Sequence, residues 1–583
     1  MKYCPLAISI MVSILVAHGA TDAFLNRHMP PKVPFPDALD SACISVPKLD
    51  DVLEYALILG NGDINGLLYS EGGTLILRIT KNDVWDARLD TSNDPPLPTL
   101  ALLKRLAFGD WENRAWILPP GYKLRGLDSY RAHPYPCPRT CAIARISNLP
   151  PKPFWKQIRA QGVHNAWKRR GNVTVMSIEG KAGASNGYAF GPLSIATDEY
   201  SHLRVRLSGT KNARVFVELQ GANNATIFSS GWLDSPMKSK ELTFKLPPGK
   251  SISRIILYTW TKDGKRAENR FEAVEFVGKS DTLSINLSTI APPTCPAKLD
   301  IRRAVAHVDG ISGGPPKAVV RALAHCNAFL IESSAQVELL PVRTPEIPAS
   351  ACGERNGVKW LHQRIPGDLD WAGMEFAVAL ATNGNRRAIA VVTSLESSDV
   401  IGDAVKLAQS VAMANLSNTI DKHEAIWERF WSVSGIDISD ELLCKEWYRN
   451  LYFLRCVTKP GVVSPGLFAS LIDEHPAWHG DYHTNYNIQQ TFWSCFITNH
   501  TDLLEPYERL VMNYLPRARW LARRIFNCNG AYFPHVLFAY EPAHPERCRS
   551  RNGRQYIHHV WGFTIGVSGF TVQPLWWRYK HEP

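Results

Sequence analysis

The 583-residue sequence has no apolar run that approaches the roughly 20 consecutive residues a transmembrane helix needs, so no membrane span is expected. It has no excess of acid either: 65 lysines and arginines stand against 54 aspartates and glutamates, a formal net charge of +11. The basic residues are dispersed. Their local clusters (Lys168, Arg169 and Arg170; Arg517, Arg519, Arg523 and Arg524; Arg547, Arg549, Arg551 and Arg554) lack the interleaved aromatics that stack on bases. Each reads as a solvated face, and nucleic acid is not an expected partner. A phosphate loop is missing as well, because GNGDING at 60–66 is followed by neither a lysine nor a helical pattern. Paired metal-type cysteines are also wanting. Cys137 and Cys141 in YPCPRTC have three residues between them and no second pair nearby, so a disulfide or two free thiols fit them better than zinc. Cys528 and Cys548 bracket a loop. No cofactor and no metal is expected.

What is present is an ordinary globular composition, 45% hydrophobic and 20% charged, in a chain long enough for roughly three or four domains. The start differs from the rest. Lys2, an apolar run from Pro5 to Ala17 and small residues at Ala17, Gly19 and Ala20 read as a signal peptide over 1–23, too short to span a bilayer. The mature protein is therefore expected to be exported, periplasmic or extracellular. Cys4 would leave with the signal, and eleven of the 12 cysteines, an odd number, would face an oxidising compartment.

From about 51 to 146 short apolar runs alternate with Gly, Asn, Asp and Pro, as in LEYALILGNGDINGLLYSEGGTLILRITKNDVWD, which is sheet sequence with turns at NGD and EGG. SNLPPKPF at 147–154 marks a boundary. Beyond it, LRVRL (203–207), VFVEL (215–219), IILYTW (255–260) and VEFVG (274–278) alternate as half-buried antiparallel strands of a sandwich or jelly roll. Sheet-type sequence resumes after Asp281. The expected architecture is an N-terminal β-sandwich (24–154 and 281–400) with an inserted jelly-roll β-sandwich (155–280), an insertion of the kind tolerated at loop tips. Tyr188, Phe190 and Trp260 would permit that insert to bind carbohydrate, and a structural spacer fits as well. After about 400 the period becomes helical: 403–432 reads as one amphipathic helix in a linker over 401–438, and Leu443, Trp447, Leu451 and Leu454 share a face. Asp502 and Glu505 form a capping signature before a helix that Pro516 should kink or break, and the last residues read as helical.

The densest polar pattern is WHGDYHTNYNIQQTFW at 478–493. His479, Asp481, His483, Asn485 and Asn487 occupy alternate positions, and in an extended backbone they would line one wall of a cavity. Such a wall suits a sugar. His479, Asp481 and His483 could also bind zinc if further ligands came from elsewhere, and a wet structural loop would carry the same residues.

Taken together, GNGDINGLLY, NDVWD, this 478–493 segment, GAYFPH (530–535) and VQPLWWRY (572–579) resemble glycoside hydrolase family 95, the α-L-fucosidase-type members of the six-hairpin glycosidases. The resemblance runs from about residue 50 to the end, without the insert. It implies a multidomain chain ending in a partial (α/α)6 barrel at 439–583, and inverting, exo-acting hydrolysis of terminal sugars of an oligosaccharide or polysaccharide. It matches Asn485 and Asn487 to the catalytic asparagines that orient the attacking water, and His483 to a substrate-binding histidine. Asp481, Trp493 and His535 would complete the sugar pocket. Inversion also needs an acid and a base carboxylate roughly 6.5–9.5 Å apart. The stretch after Asp440 supplies too few helices for a whole barrel, so the resemblance puts that acid and base beyond Pro583. Gln489, Gln490 and Thr491 depart from the family pattern after the asparagine pair. The alternative from another class is a non-catalytic carbohydrate-binding protein that keeps the pocket wall; Asp473, Glu474 and Glu541 are further carboxylates near the motifs.

Overall fold

The computed structural model describes residues 32–49, 55–88, 136–148, 153–221, 225–288, 295–311, 314–344, 347–368, 371–468, 480–537, 539–540 and 566–582, with a few single positions between. The expected signal peptide lies outside the described residues, as do His479, Asp473, Glu474, Glu541, Cys548 and the arginines at 547–554.

Two antiparallel sheets form the first sandwich. The five-stranded one runs Leu57–Gly60, Ile64–Glu71, Thr74–Asp86, Cys137–Ser147, Gln336–Leu340. The nine-stranded one opens with Ile44–Val46 and is built mainly from strands between Ala297 and Thr393. Leu59, Leu77, Ile79, Ala142, Val320, Phe329, Val378 and Ile389 fill one continuous core that includes both sheets. The chain leaves this sandwich at Ser147, yet Ser147 pairs with Gln336 across the intervening sequence. Between them, Phe154–Ser284 forms a second sandwich of two six-stranded sheets, and the strands from Ala297 to Glu332 return to the nine-stranded sheet of the first.

Its core is its own: Val205 and Leu207 meet Val215, Val217, Leu257, Phe271 and Phe276, all buried. The alternation in the sequence therefore sorts inward from outward residues. It sorts Tyr188 and Phe190 inward, because they follow the parity of Leu257 and Ile255 across the register, and only Trp260 of the three expected sugar contacts is on the outer face. Cys141 is a free, buried thiol, which leaves no disulfide to Cys137. Four residues along one strand separate the two by about 13 Å, beyond the reach of an S–S bond.

The expected single helix over 403–432 is two, Val400–Met413 and Leu416–Trp431. The break falls at Asn415, whose side-chain oxygen accepts from the Asn418 amide at 3.0 Å and starts the second helix. The first helix is fixed to the sandwich: Ala404, Ala408 and Ala412 pack with Ala377, Ala379, Ala388 and Ala390 of the nine-stranded sheet, small residues that allow close approach. Glu441–Val457 follows, capped by Asp440. Asp502 does not cap; Thr501–Leu504 is a 3-10 turn that runs straight into the helix Glu505–Phe526. Pro516 lies inside that helix without ending it, since Tyr507, Leu510, Val511 and Tyr514 before it and Ala518, Leu521 and Ile525 after it are all buried. Packing on both sides offsets the ~3 kcal/mol that an interior proline costs. Arg517, expected on a solvated face, is buried there with its guanidinium 5.7 Å from the Trp520 ring. The last helix is Val567–His581.

GNGDING is the joint between sheet and helices. Gly62, at φ +94°, donates its amide to the Cys456 carbonyl at 2.7 Å, and the Asn82 amide group donates to the Val457 carbonyl at 2.8 Å. These are the terminal carbonyls that a helix leaves without internal partners. Arg455 returns a bond to the Asn61 carbonyl at 2.9 Å, and a side chain on Gly60 would collide with the Cys456 carbonyl. Beside the joint, buried Lys81 contacts Asp63 and Asp83 at 2.9 Å and Glu396 at 3.1 Å. Burial opposes the charge of Lys81, but the three carboxylates outweigh it and hold the ammonium above its ordinary value. Burial likewise pushes Asp83 up to about 6, against the pull of Lys81.

Removing one member of such a cluster strands the others. Lys81→Met is expected to destabilise the fold by about 3–5 kcal/mol in urea unfolding, with part of the loss recovered in Lys81→Met, Asp63→Asn. Equal stability of wild type and Lys81→Met would contradict this reading.

Candidate active site

The described part of the 478–493 motif begins at Gly480, whose positive φ of +62° turns the chain. The Leu467 amide donates to the Asp481 carbonyl at 3.0 Å. Only Tyr482–His483 is extended, and it pairs with Val536–Leu537, so that GAYFPH is brought beside DYH. The Thr484 amide donates to the His535 carbonyl at 2.8 Å and its hydroxyl to the Pro534 carbonyl at 2.6 Å. The backbone then turns, and a short helix occupies Asn487–Thr491.

The expected wall of alternate side chains is therefore not formed. Thr484 is held down by its own bonds, and the Gln489 side-chain amide donates to the Thr484 carbonyl, which curls the chain where the alternation would have continued. Asp481 is buried, His483 is half-buried at the strand end, Asn485 is exposed in the turn, and Asn487 is half-buried in the first helical turn.

What the structure brings together is Asp481, His483 and His535. The Asp481 carboxylate bonds the Nδ1 of His483, and the rings of His483 and His535 lie 5.4 Å apart, edge to face. Burial pushes Asp481 up to about 6, while the bond from His483 works to lower it. Burial and then His483 push His535 down to about 4, so it is neutral near pH 7. A carboxylate on Nδ1 fixes the tautomer of His483, with the ring proton on Nδ1. Trp493 is elsewhere: its ring is 6.0 Å from Phe570 and 5.7 Å from Trp577, against the last helix.

Sequence reasoning did not find the neighbours from the first sandwich. Tyr482 rests 5.2 Å from Trp85, and its hydroxyl donates to the Ser464 carbonyl at 2.7 Å. Tyr540 stacks on Trp371 at 5.9 Å and donates its hydroxyl to the Asp83 carbonyl. NDVWD thus reaches the motif through Trp85, while Asp83 holds Tyr540 beyond it, and the sequence signal that could have found them is the charged and polar run Lys81–Asp83 inside an otherwise apolar strand. No group of three or more His, Cys, Asp or Glu side chains suited to a metal occurs among the described residues.

With this geometry in place, the comparisons bear on residues 456–583, which match the glycosyl hydrolase family 95 catalytic domain. The C-terminal part of the chain is family 95-like. It begins at Cys456, the residue whose carbonyl the GNGD turn holds. A probable alpha-fucosidase A from Aspergillus niger is 28% identical over 86 residues, 14% of this chain and 11% of that protein. The match thus spans about a tenth of the curated relative. Among solved structures, a CBM4 module is 11% identical over 22% of this chain and 94% of its own, with a TM-score of 0.18. The glycoside hydrolase domain of Endo-D from Streptococcus pneumoniae is 14% identical over 41% of this chain and 36% of its own, also at 0.18. The β-sandwich architecture stands on the strand pairing described above.

His535 tests the site electrostatics. Its folded value lies below the ordinary 6.5, so its contribution to stability is complete above pH 6.5 and is lost as pH falls through about 4. His535→Gln is expected to flatten the acid limb of stability between those values, and the His535 ring of the wild type should stay neutral by NMR down to about pH 4. A His535 midpoint near 6.5 would contradict the burial described.

Proposed function

We propose that the chain belongs to an exported, exo-acting, inverting glycoside hydrolase of α-L-fucosidase type that works on terminal sugars of glycans. The observation that carries this reading is that the segment matching the family 95 catalytic domain is the one in which Asp481, His483 and His535 are assembled beside a turn bearing Asn485. In this reading Glu441–Val457, Glu505–Phe526 and Val567–His581 are helices of a partial (α/α)6 barrel, and the turn faces its sugar pocket.

Each residue has a role its chemistry supports. His483, oriented by Asp481, hydrogen-bonds a sugar hydroxyl through Nε2, and neutral His535 accepts or donates beside it. The amide oxygens of Asn485 and Asn487 hold the water that attacks the anomeric carbon. An amide oxygen cannot take up the proton, so a carboxylate must back it. Asp481 is not placed for that task, being buried and engaged with His483. Trp493 supports the pocket from behind by fixing the short helices to Val567–His581.

The test is hydrolysis of aryl α-L-fucosides and other aryl glycosides by the complete gene product that carries this chain, with the anomer released followed by NMR. Turnover with inversion, reduced by about 100-fold or more in Asn485→Ala, Asn487→Ala, is the expected result. Unchanged turnover in that variant would refute the assignment of the asparagines. Sugar binding without turnover of any substrate would leave the second class, a carbohydrate-binding protein built on the same fold.

A further inference from the structure

The inserted sandwich has an outer face unlike its others. On Ala213–Gln220 the buried Val215, Val217 and Leu219 alternate with the half-buried Arg214, Phe216 and Glu218, and Gln220 at the strand end is nearly covered; on Arg254–Thr261 Ile255, Ile256 and Leu257 are buried while Arg254, Tyr258 and Trp260 are half-buried. The register sets these outward residues directly opposite one another: Arg214 with Trp260, Phe216 with Tyr258, Gln220 with Arg254. Trp232, from the turn before Leu233–Asp234, joins them with ring centres 5.1 Å from Phe216, 6.2 Å from Tyr258 and 6.0 Å from Trp260. All four rings are half-buried, outside the core. Tyr258 lies flat across the neighbouring strand because Gly187 has no side chain there; a Cβ would run into the Tyr258 ring.

A line of fixed polar groups leads away from the rings. The Tyr258 hydroxyl donates to one oxygen of Glu218 at 3.4 Å, and the Gln220 amide and the Thr226 hydroxyl donate to the other at 2.7 Å. Arg254 Nε in turn donates to the side-chain oxygen of Gln220 at 2.6 Å. Arg254 also lines a cleft of about 310 Å³, where the inserted sandwich meets the Glu71–Ile76 hairpin of the first one. Phe154, lying over Gly72, forms part of its wall. From Arg254 to Trp260 the strand covers about 20 Å. Rings, polar line and cleft thus occupy one continuous face, built independently of the Asp481–His483 site.

We propose that this face is a second glycan-binding site, which takes a neutral, extended oligosaccharide with its apolar ring faces on Trp232, Tyr258 and Trp260 and its hydroxyls on Glu218 beside the rings and on Arg254 in the cleft, with Gln220 tying the two together beneath. Apolar planes beside a few pre-oriented polar groups are what a polyhydroxylated ring requires. Charge selects a neutral ligand. Arg214 and Lys262 both pair with Asp234, at 3.0 and 2.9 Å, Lys156 pairs with Glu71 at 3.1 Å, and the Glu218 carboxylate stands with Arg159 and Arg254 around Tyr258, so positive charge on this face is interspersed with carboxylates that repel a polyanion. The polar line is held by hydrogen bonds within the protein, so binding does not have to order it.

Affinity electrophoresis of the whole chain through gels containing glucomannan, xylan or mixed-linkage glucan tests this, with polygalacturonate as the charged control. Retardation by at least one neutral polymer is expected, weakened about tenfold or more in Trp260→Ala and in Arg254→Gln, and unchanged in Asn485→Ala, Asn487→Ala. The last arm separates this site from the proposed catalytic one. Should Trp260→Ala melt early, Glu218→Gln and Arg254→Gln carry the test, each checked by its melting temperature. No retardation by any neutral polymer, retardation by polygalacturonate alone, or binding indifferent to Trp260 and Arg254 would each overturn the proposal.

Discussion

The arrangement of this chain depends on two carbonyl groups. Cys456 and Val457 end a helix, and their oxygens would be left without partners if the Gly62 and Asn82 amides did not reach them. A turn that approaches a helix end so closely must have no side chain at Gly60 and a positive φ at Gly62, which explains the spacing of GNG better than any contact with substrate. Because the family 95-like segment starts at that helix end, the first sandwich fixes where the segment begins. The charged cluster around Lys81 lies beside this joint and makes its position costly to change, since none of its buried members is tolerable alone.

The strands were the most legible part of the sequence. Residues 203–207 and 215–219 alternate with period two, and burial follows that period. Helix ends were less legible. Asn415 restarts a helix inside a run whose hydrophobic pattern continues past it, so periodicity alone could not show the break. Pro516 carried the opposite error: its local penalty is real, but tertiary packing on both sides overrides it. The same override buries Arg517, whose neighbours Arg519, Arg523 and Arg524 made it look solvated.

The candidate site was legible in composition and not in shape. Asp481, His483 and His535 were identified from the 478–493 and GAYFPH motifs, and the pairing of Tyr482–His483 with Val536–Leu537 brings those motifs together. Their geometry follows from Thr484 and Gln489, residues whose side-chain bonds to nearby backbone compete with an extended strand. Alternation of polar residues predicts a shared face only while the backbone stays extended, and here that lasts two residues. The insert shows the converse. Tyr188 and Phe190 look as suitable for sugar as Phe216 and Tyr258 do, and register alone decides which pair points out.

That register also bears on how an insert can serve a glycosidase-like chain. A glycan held on the outer sheet face raises the concentration of glycan around the rest of the same chain, and this gain requires no new contact at the reacting centre. It does require that the face be fixed to the parent fold instead of trailing on a free linker. Phe154 on Gly72, Lys156 on Glu71 at 3.1 Å, and the pairing of Ser147 with Gln336 beneath them provide that attachment. The cleft at this junction is lined from both sandwiches, so each supplies part of the wall around Arg254. An insertion that only lengthened the chain would have no reason to share a cavity with its host, and this one does.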